Sequence, residues 1–172
     1  LALVIAYSSP APPVSAGPLA ADVIQVFYSP NGGATEAVVR ELGNAKKEIL
    51  VQAYSFTSAP IAKALVAAHK RGVKITVVLD ASQPGDRDNS AVFVHNAGIP
   101  TYIDDRHAIG NNGIMIIDQT TIITSSSNFT KAAAERNAEI LLVIKANADM
   151  VNEYLANFKD HLEHSERYEG MN

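Results

Sequence analysis

The chain has 172 residues, 47% hydrophobic and 19% charged, which is enough apolar content for a packed core and excludes a disordered chain. A formal net charge of −4 speaks against a wholesale basic nucleic-acid binder, though not against a local basic site. With no cysteine, disulfides and zinc–thiolate sites are excluded.

Residues 1–21 read as a leader. Leu1–Tyr7 (LALVIAY) is a short apolar run, and SSPAPPVSAGPLA follows it. The pair resembles the apolar and cleavage regions of a secretory signal, with Val14-Ser15-Ala16 or Pro18-Leu19-Ala20 as processing sites. The apolar run is too short to cross a bilayer, so no stable membrane anchor is expected. A periplasmic or secreted location follows, with residues 22–172 as a single domain.

From Asp22 onward, strand and helix patterns alternate. Asp22–Tyr28 predicts a strand, and Gly32-Gly33 punctuates it. Thr35 is the expected cap of a helix that carries Val38, Val39 and Leu42 on one face. Glu48–Phe56 is a second strand. Ser58 caps the next helix, Pro60 sits in its first turn, and Gly72 stops it. Val73–Leu79 is an almost continuous apolar strand, a pattern typical of burial on both faces.

Residues 81–89 predict a polar loop, Ser90–Asn96 a short helix and Thr101–Ile103 a short strand. Ile114–Ile117 and Thr121–Thr124 predict a hairpin, and Glu139–Lys145 another strand. Asn147 is the expected cap of a last helix, followed by a frayed tail from about Ser165. The fold class expected is an α/β/α sandwich with a mixed, largely parallel central sheet. There is no internal repeat and no glycine-rich nucleotide loop.

The chemistry concentrates in GNNGIMIIDQTTIITSSSNFT, Gly110 to Thr130. Hydroxyls, a side-chain amide and backbone N–H groups gathered at a strand end can hold nonbridging phosphate oxygens. Taken alone, Ser/Thr/Asn runs are more often plain turns.

The stretch resembles the phospholipase D superfamily signature: His, one residue, Lys, four residues, Asp, then a Gly/Ser-Ser-x-Asn element. Asp118 matches the signature Asp. Ser126 and Asn128 match the later Ser and Asn, Ser125 stands where Gly is usual, and Glu139 matches a following acidic residue. YSPNGG, QAYSFTSAPIAKALVAAHKRGVKITVVLD and SNFTKAAAERNAEI are similar to the small bacterial endonucleases of that superfamily, over roughly residues 22–165.

That resemblance implies a homodimer sharing one active site, DNA or RNA as substrate, and no cofactor or metal. It implies catalysis through a phospho-histidine, with a lysine neutralising the phosphoryl oxygens. Asn111 and Gly113 stand at the signature His and Lys positions. An amide nitrogen has no lone pair available for attack and does not titrate near neutrality. Loss of a covalent nucleophile costs about 10⁴–10⁶ in rate, so a catalytically impaired or inactive chain is expected. Replacement of both reacting residues with the rest of the motif intact fits an active enzyme altered at both positions, and a natural or redesigned relative without catalysis is the alternative; Asn preserves the size and polarity of His, whereas Gly does not preserve Lys.

The resemblance thus assigns Asn111, Gly113, Asp118 and Glu139 to the catalytic positions, and Ser125, Ser126 and Asn128 to phosphate binding. His107, four residues before Asn111, lies about 13 Å away if the chain is extended and could substitute only if the loop folds back; it reads as a surface loop histidine. His69, His95, His161 and His164 read as helix-face residues. Arg87, Arg106, Lys131 and Arg136 are candidate phosphate contacts around the mouth. A lipid phosphodiesterase of the phospholipase D type and a non-catalytic phosphodiester- or nucleic-acid-binding module are the alternatives.

Overall fold

The computed structural model describes residues 21–54, 56–81, 90–146 and 148–170. The leader through Ala20, most of the predicted polar loop including Arg87, and the Asn147 cap lie outside the described residues.

Eight strands form one sheet: β1 (Ala21–Ser29), β2 (Glu48–Ala53), β3 (Lys74–Asp80), β4 (Thr101–Asp104), β5 (Gly113–Ile117), β6 (Thr121–Ser125), β7 (Glu139–Ala146) and β8 (Glu166–Arg167). Their order is β1-β7-β6-β5-β2-β3-β4-β8. The α/β architecture is as expected from sequence, but the sheet is not largely parallel. Only β2–β3 and β3–β4 pair parallel, while β1–β7, β7–β6, β6–β5, β5–β2 and β4–β8 are antiparallel. Apolar runs such as those of β5 to β7 fit either direction, because burial on both faces erases the alternation that would distinguish them.

The helices are α1 (Ala34–Asn44), α2 (Ala59–Lys70), α3 (Ser90–Asn96), α4 (Lys131–Glu135) and α5 (Ala148–Glu163). Val38 and Leu42 of α1 and Ile61 and Leu65 of α2 are buried against Ile49, Val51, Val77 and Met115 on one sheet face. On the other face, Val151 and Phe158 of α5 pack with Leu50, Val78, Ile116 and Ile122.

Three local expectations need correcting. Thr35 lies inside α1, whose N-cap is Gly33 in the left-handed region (φ 78°) with no side-chain cap bond. Ser58 is the N-cap of α2 but makes no cap hydrogen bond through its side chain. The tail is not frayed at Ser165: β8 pairs with β4, Tyr168 N donates to Thr101 O, and the Tyr168 ring meets His95 edge-on at 4.9 Å. A strand of two residues is too short to leave a periodic signal.

Candidate functional site

Strand direction gathers the site. Pairing of Ala53 with Gly113, Ile114 with Thr124, Ser125 with Leu141 and Ser29 with Glu139 brings these ends to one edge of the sheet. There β2 and β6 finish while β5 and β7 begin. Strand ends that meet at such an edge are where open α/β sheets hold ligands.

The loop after β6 is pinned to the loop after β2. Thr57 N and Ser58 N both donate to Phe129 O, at 3.1 and 2.9 Å. Tyr54 N donates to Asn128 Oδ1 at 2.8 Å, which leaves the Asn128 amide nitrogen facing Asn111. That nitrogen donates to Asn111 Oδ1 at 2.8 Å. The exposed Asn111 therefore turns its own amide nitrogen outward, as a donor suited to an anion.

Ser126 and Glu139 form a second unit. Ser126 Oγ donates to Glu139 Oε2 at 2.6 Å and accepts from Ile140 N at 3.0 Å. With both bonds made, the hydroxyl proton is committed to Glu139, so Ser126 as placed orients the edge rather than offering a free donor. Ser125 Oγ and Ser127 Oγ lie 3.0 Å apart, and Ser127 N donates to Ser125 Oγ at 3.1 Å. These bonds close the turn into a tight unit.

Gly113 is buried at the first position of β5, directly under that turn. A Cβ added there would overlap the Ser127 carbonyl oxygen and lie 3.2 Å from that of Ser125. The glycine thus permits a close backbone approach that a lysine would prevent.

The structure does not bring Asp118 to this edge. It occupies the opposite end of β5, in the turn to β6, with φ of 52°. Its carboxylate accepts from Lys46, Lys47 and Glu48 N at 2.8, 2.7 and 2.9 Å. Burial pushes its pKa up, but those three amides and the Lys47 charge outweigh it and hold the carboxyl below its ordinary value. The placement of Asp118 among the reacting groups is therefore corrected: four strand residues lie between it and Gly113, five steps or about 17 Å, and it anchors a turn.

His107 is also remote from Asn111 functionally. Its Nδ1 lies 3.2 Å from Asp104 Oδ2 at the end of β4, beside His161 and His164. His161 is buried, not a free helix-face residue. Sequence reading missed this group because its halves are 57 residues apart; the only local hint was the i,i+3 spacing of Asp104/His107 and of His161/His164. Lys131 and Arg136 are exposed on and just after α4, and Arg106 is exposed beside His107.

A family model described as "Cardiolipin synthase, PLD-like domain" matches residues 38–162, which include every residue of this edge except Ser29. The chain belongs to the phospholipase D-like family. Members of this superfamily are phosphodiesterases, and the chain carries their fold.

A Rickettsia felis relative named phospholipase D is 33% identical over 135 residues, covering 78% of this chain and 67% of that protein. Mouse mitochondrial cardiolipin hydrolase is 25% identical over 122 residues, covering 71% of this chain and 55% of that protein. The crystal structure of Nuc, a phospholipase D family member from Salmonella typhimurium, matches with a TM-score of 0.82 at 36% identity, covering 85% of this chain and 97% of that one. NucT from Helicobacter pylori shares the phospholipase D-like fold at a TM-score of 0.78 and 20% identity, covering 85% and 99%. Among the described residues, no helix is long and apolar enough to cross a membrane.

Proposed function

We propose that this phospholipase D-like chain is an endonuclease-type phosphodiester binder whose cleavage chemistry is lost. It holds DNA or RNA at a pocket shared by two copies, in a periplasmic or secreted setting. The observation that carries the reading is the Asn111–Asn128 amide pair at the strand edge. The pair faces out of the sheet beside the Ser125–Ser127 turn, with Glu139 held by Ser126. The resemblance of the sequence to small bacterial endonucleases supports the nucleic-acid side of it, and the near-complete coverage of Nuc supports the phospholipase D-like fold.

The amides supply uncharged donors to nonbridging oxygens. Exposed Lys131 and Arg136 add charge at the rim. No imidazole stands where the signature places the nucleophile, so the bound diester lacks an attacking group. In a two-copy pocket the same substitution removes the partner acid as well.

The experiment restores the imidazole. Asn111→His, which leaves the close backbone approach at Gly113 untouched, assayed on plasmid DNA in EDTA, is expected to raise cleavage by at least about 10²-fold over the parent chain. A folded variant, verified by its melting transition, that cleaves no faster than the parent would contradict the reading. The names of the Rickettsia and mouse relatives favour a second reading, a lipid phosphodiester as ligand. Headgroup release from cardiolipin liposomes by the restored variant, without DNA cleavage, would select it.

A further inference from the structure

We infer that Asp104, His107, His161 and His164 form a binding site for one divalent transition-metal ion of the zinc class. This site is separate from the Asn111–Asn128 edge and goes beyond the phosphodiester reading. Asp104 ends β4 and is 4% exposed. Three imidazoles converge on its carboxylate. His161 Nδ1 lies 2.6 Å and His107 Nδ1 3.2 Å from Oδ2, while His164 Nε2 lies 3.2 Å from Oδ1.

The His164 nitrogen is buried and, despite that proximity, makes no aligned hydrogen bond among the described residues. Its ring centroid lies 5.4 Å from that of His107 and 5.5 Å from that of His161, which are themselves 4.8 Å apart. The three rings thus form a near-regular triangle around the acid.

One donor atom from each of the four residues lies within 4.8 Å of every other. Three imidazole nitrogens and one carboxylate oxygen are a donor set of tetrahedral zinc, at about 2.0–2.1 Å from the metal. That geometry sets donor separations near 3.3 Å. The imidazole–carboxylate separations of 2.6 to 3.2 Å lie near this value and no donor pair exceeds 4.8 Å, so closing on an ion takes shifts of about an ångström. His161 and His107 share Oδ2, and His164 faces Oδ1 without an aligned bond, so three imidazole nitrogens crowd one acid, a donor set that a metal ion would use.

The ligands come from two places: the end of β4 with the loop that follows it, and the last turn of α5 with the residue that follows it. An ion would clip α5 to the sheet. It would also fix the start of the 105–112 loop, whose other end carries Asn111. Beside Asp104, a small cavity is lined by Asp80, Gly110, Asn112 and Gln52. Gln52 is 3% exposed and, among the described residues, both its amide atoms lack a partner, so they can serve a water or an outer-shell contact there.

The test uses the whole chain, stripped with EDTA and dialysed, and titrated with Zn(II) by calorimetry and with Co(II) by visible absorption. One equivalent per chain, intense tetrahedral Co(II) bands and a Zn(II)-dependent rise in melting temperature are expected. His107→Gln alters a side chain 44% exposed and so should fold; His164→Gln is the second variant. Each is expected to weaken Zn(II) binding by at least about tenfold and to lose the Co(II) bands. No stoichiometric Zn(II) binding, or binding that survives either substitution unchanged, overturns the assignment.

Discussion

Asp118 shows how a residue can match a signature and still lie far from the reacting atoms. Counting letters identified it, but the direction of β5 placed it at the opposite end of the strand. Its depressed pKa gives a prediction with a definite sign. A carboxyl lowered in the folded state stabilises above its unfolded value of 3.8, and that contribution is lost as pH falls through this value and below. Asp118→Asn is therefore expected to cost about 1–2 kcal/mol at pH 7. The difference from the parent should shrink toward pH 3, read from urea midpoints at the two pH values. A constant difference would show that the charge is not what the three amides hold. At this scale the sequence was legible for Asn111, Ser126, Asn128 and Glu139, which do share an edge. It was silent on His107, His161 and His164, because contact across 57 residues leaves no periodic trace.

Among the elements, the decisive unit is the Ser125–Ser127 turn folded over Gly113. The turn is closed by the Ser125–Ser127 hydroxyl pair and by Ser126 on Glu139. A methyl group at 113 would meet backbone oxygen, which cannot rotate away. Gly113→Ala is expected to destabilise by about 1–3 kcal/mol, measured by chemical denaturation, because overpacking forces a backbone shift. A neutral or stabilising result would mean that the turn moves freely. Strand and helix identities were largely legible here, since β3 and α2 carry strong apolar patterns. The exceptions were α4, too short for periodicity and started by Thr130 accepting from Ala133 N at 3.0 Å, and β8. Strand direction was not legible, and the parallel content was overestimated for that reason.

For the molecule as a whole, the α5 face of the sheet is unevenly covered. Ile24, Val26 and Tyr28 of β1 are 55%, 47% and 57% exposed, and Ile140, paired with Tyr28, is 50% exposed. This apolar stripe runs along an edge strand, a surface that proteins commonly cover. Its Tyr28–Ile140 end reaches the strand edge, where Ser126 N donates to Ile140 O at 3.0 Å, so a two-fold contact there would bring two such edges together. Tyr28→Lys with Ile140→Lys is expected to convert a dimer to a monomer in sedimentation at micromolar concentration. Little change in melting of the isolated chain is expected, since both side chains are already half in solvent. A parent chain that sediments as a monomer would remove the shared pocket.

The most direct measurement is a crystal of this chain soaked in tungstate, a tetrahedral stand-in for phosphate. Density is expected between two copies, within hydrogen-bonding reach of Asn111 and Asn128 from both. An oxyanion bound elsewhere, with those two strand edges facing away from each other, would contradict the proposed pocket.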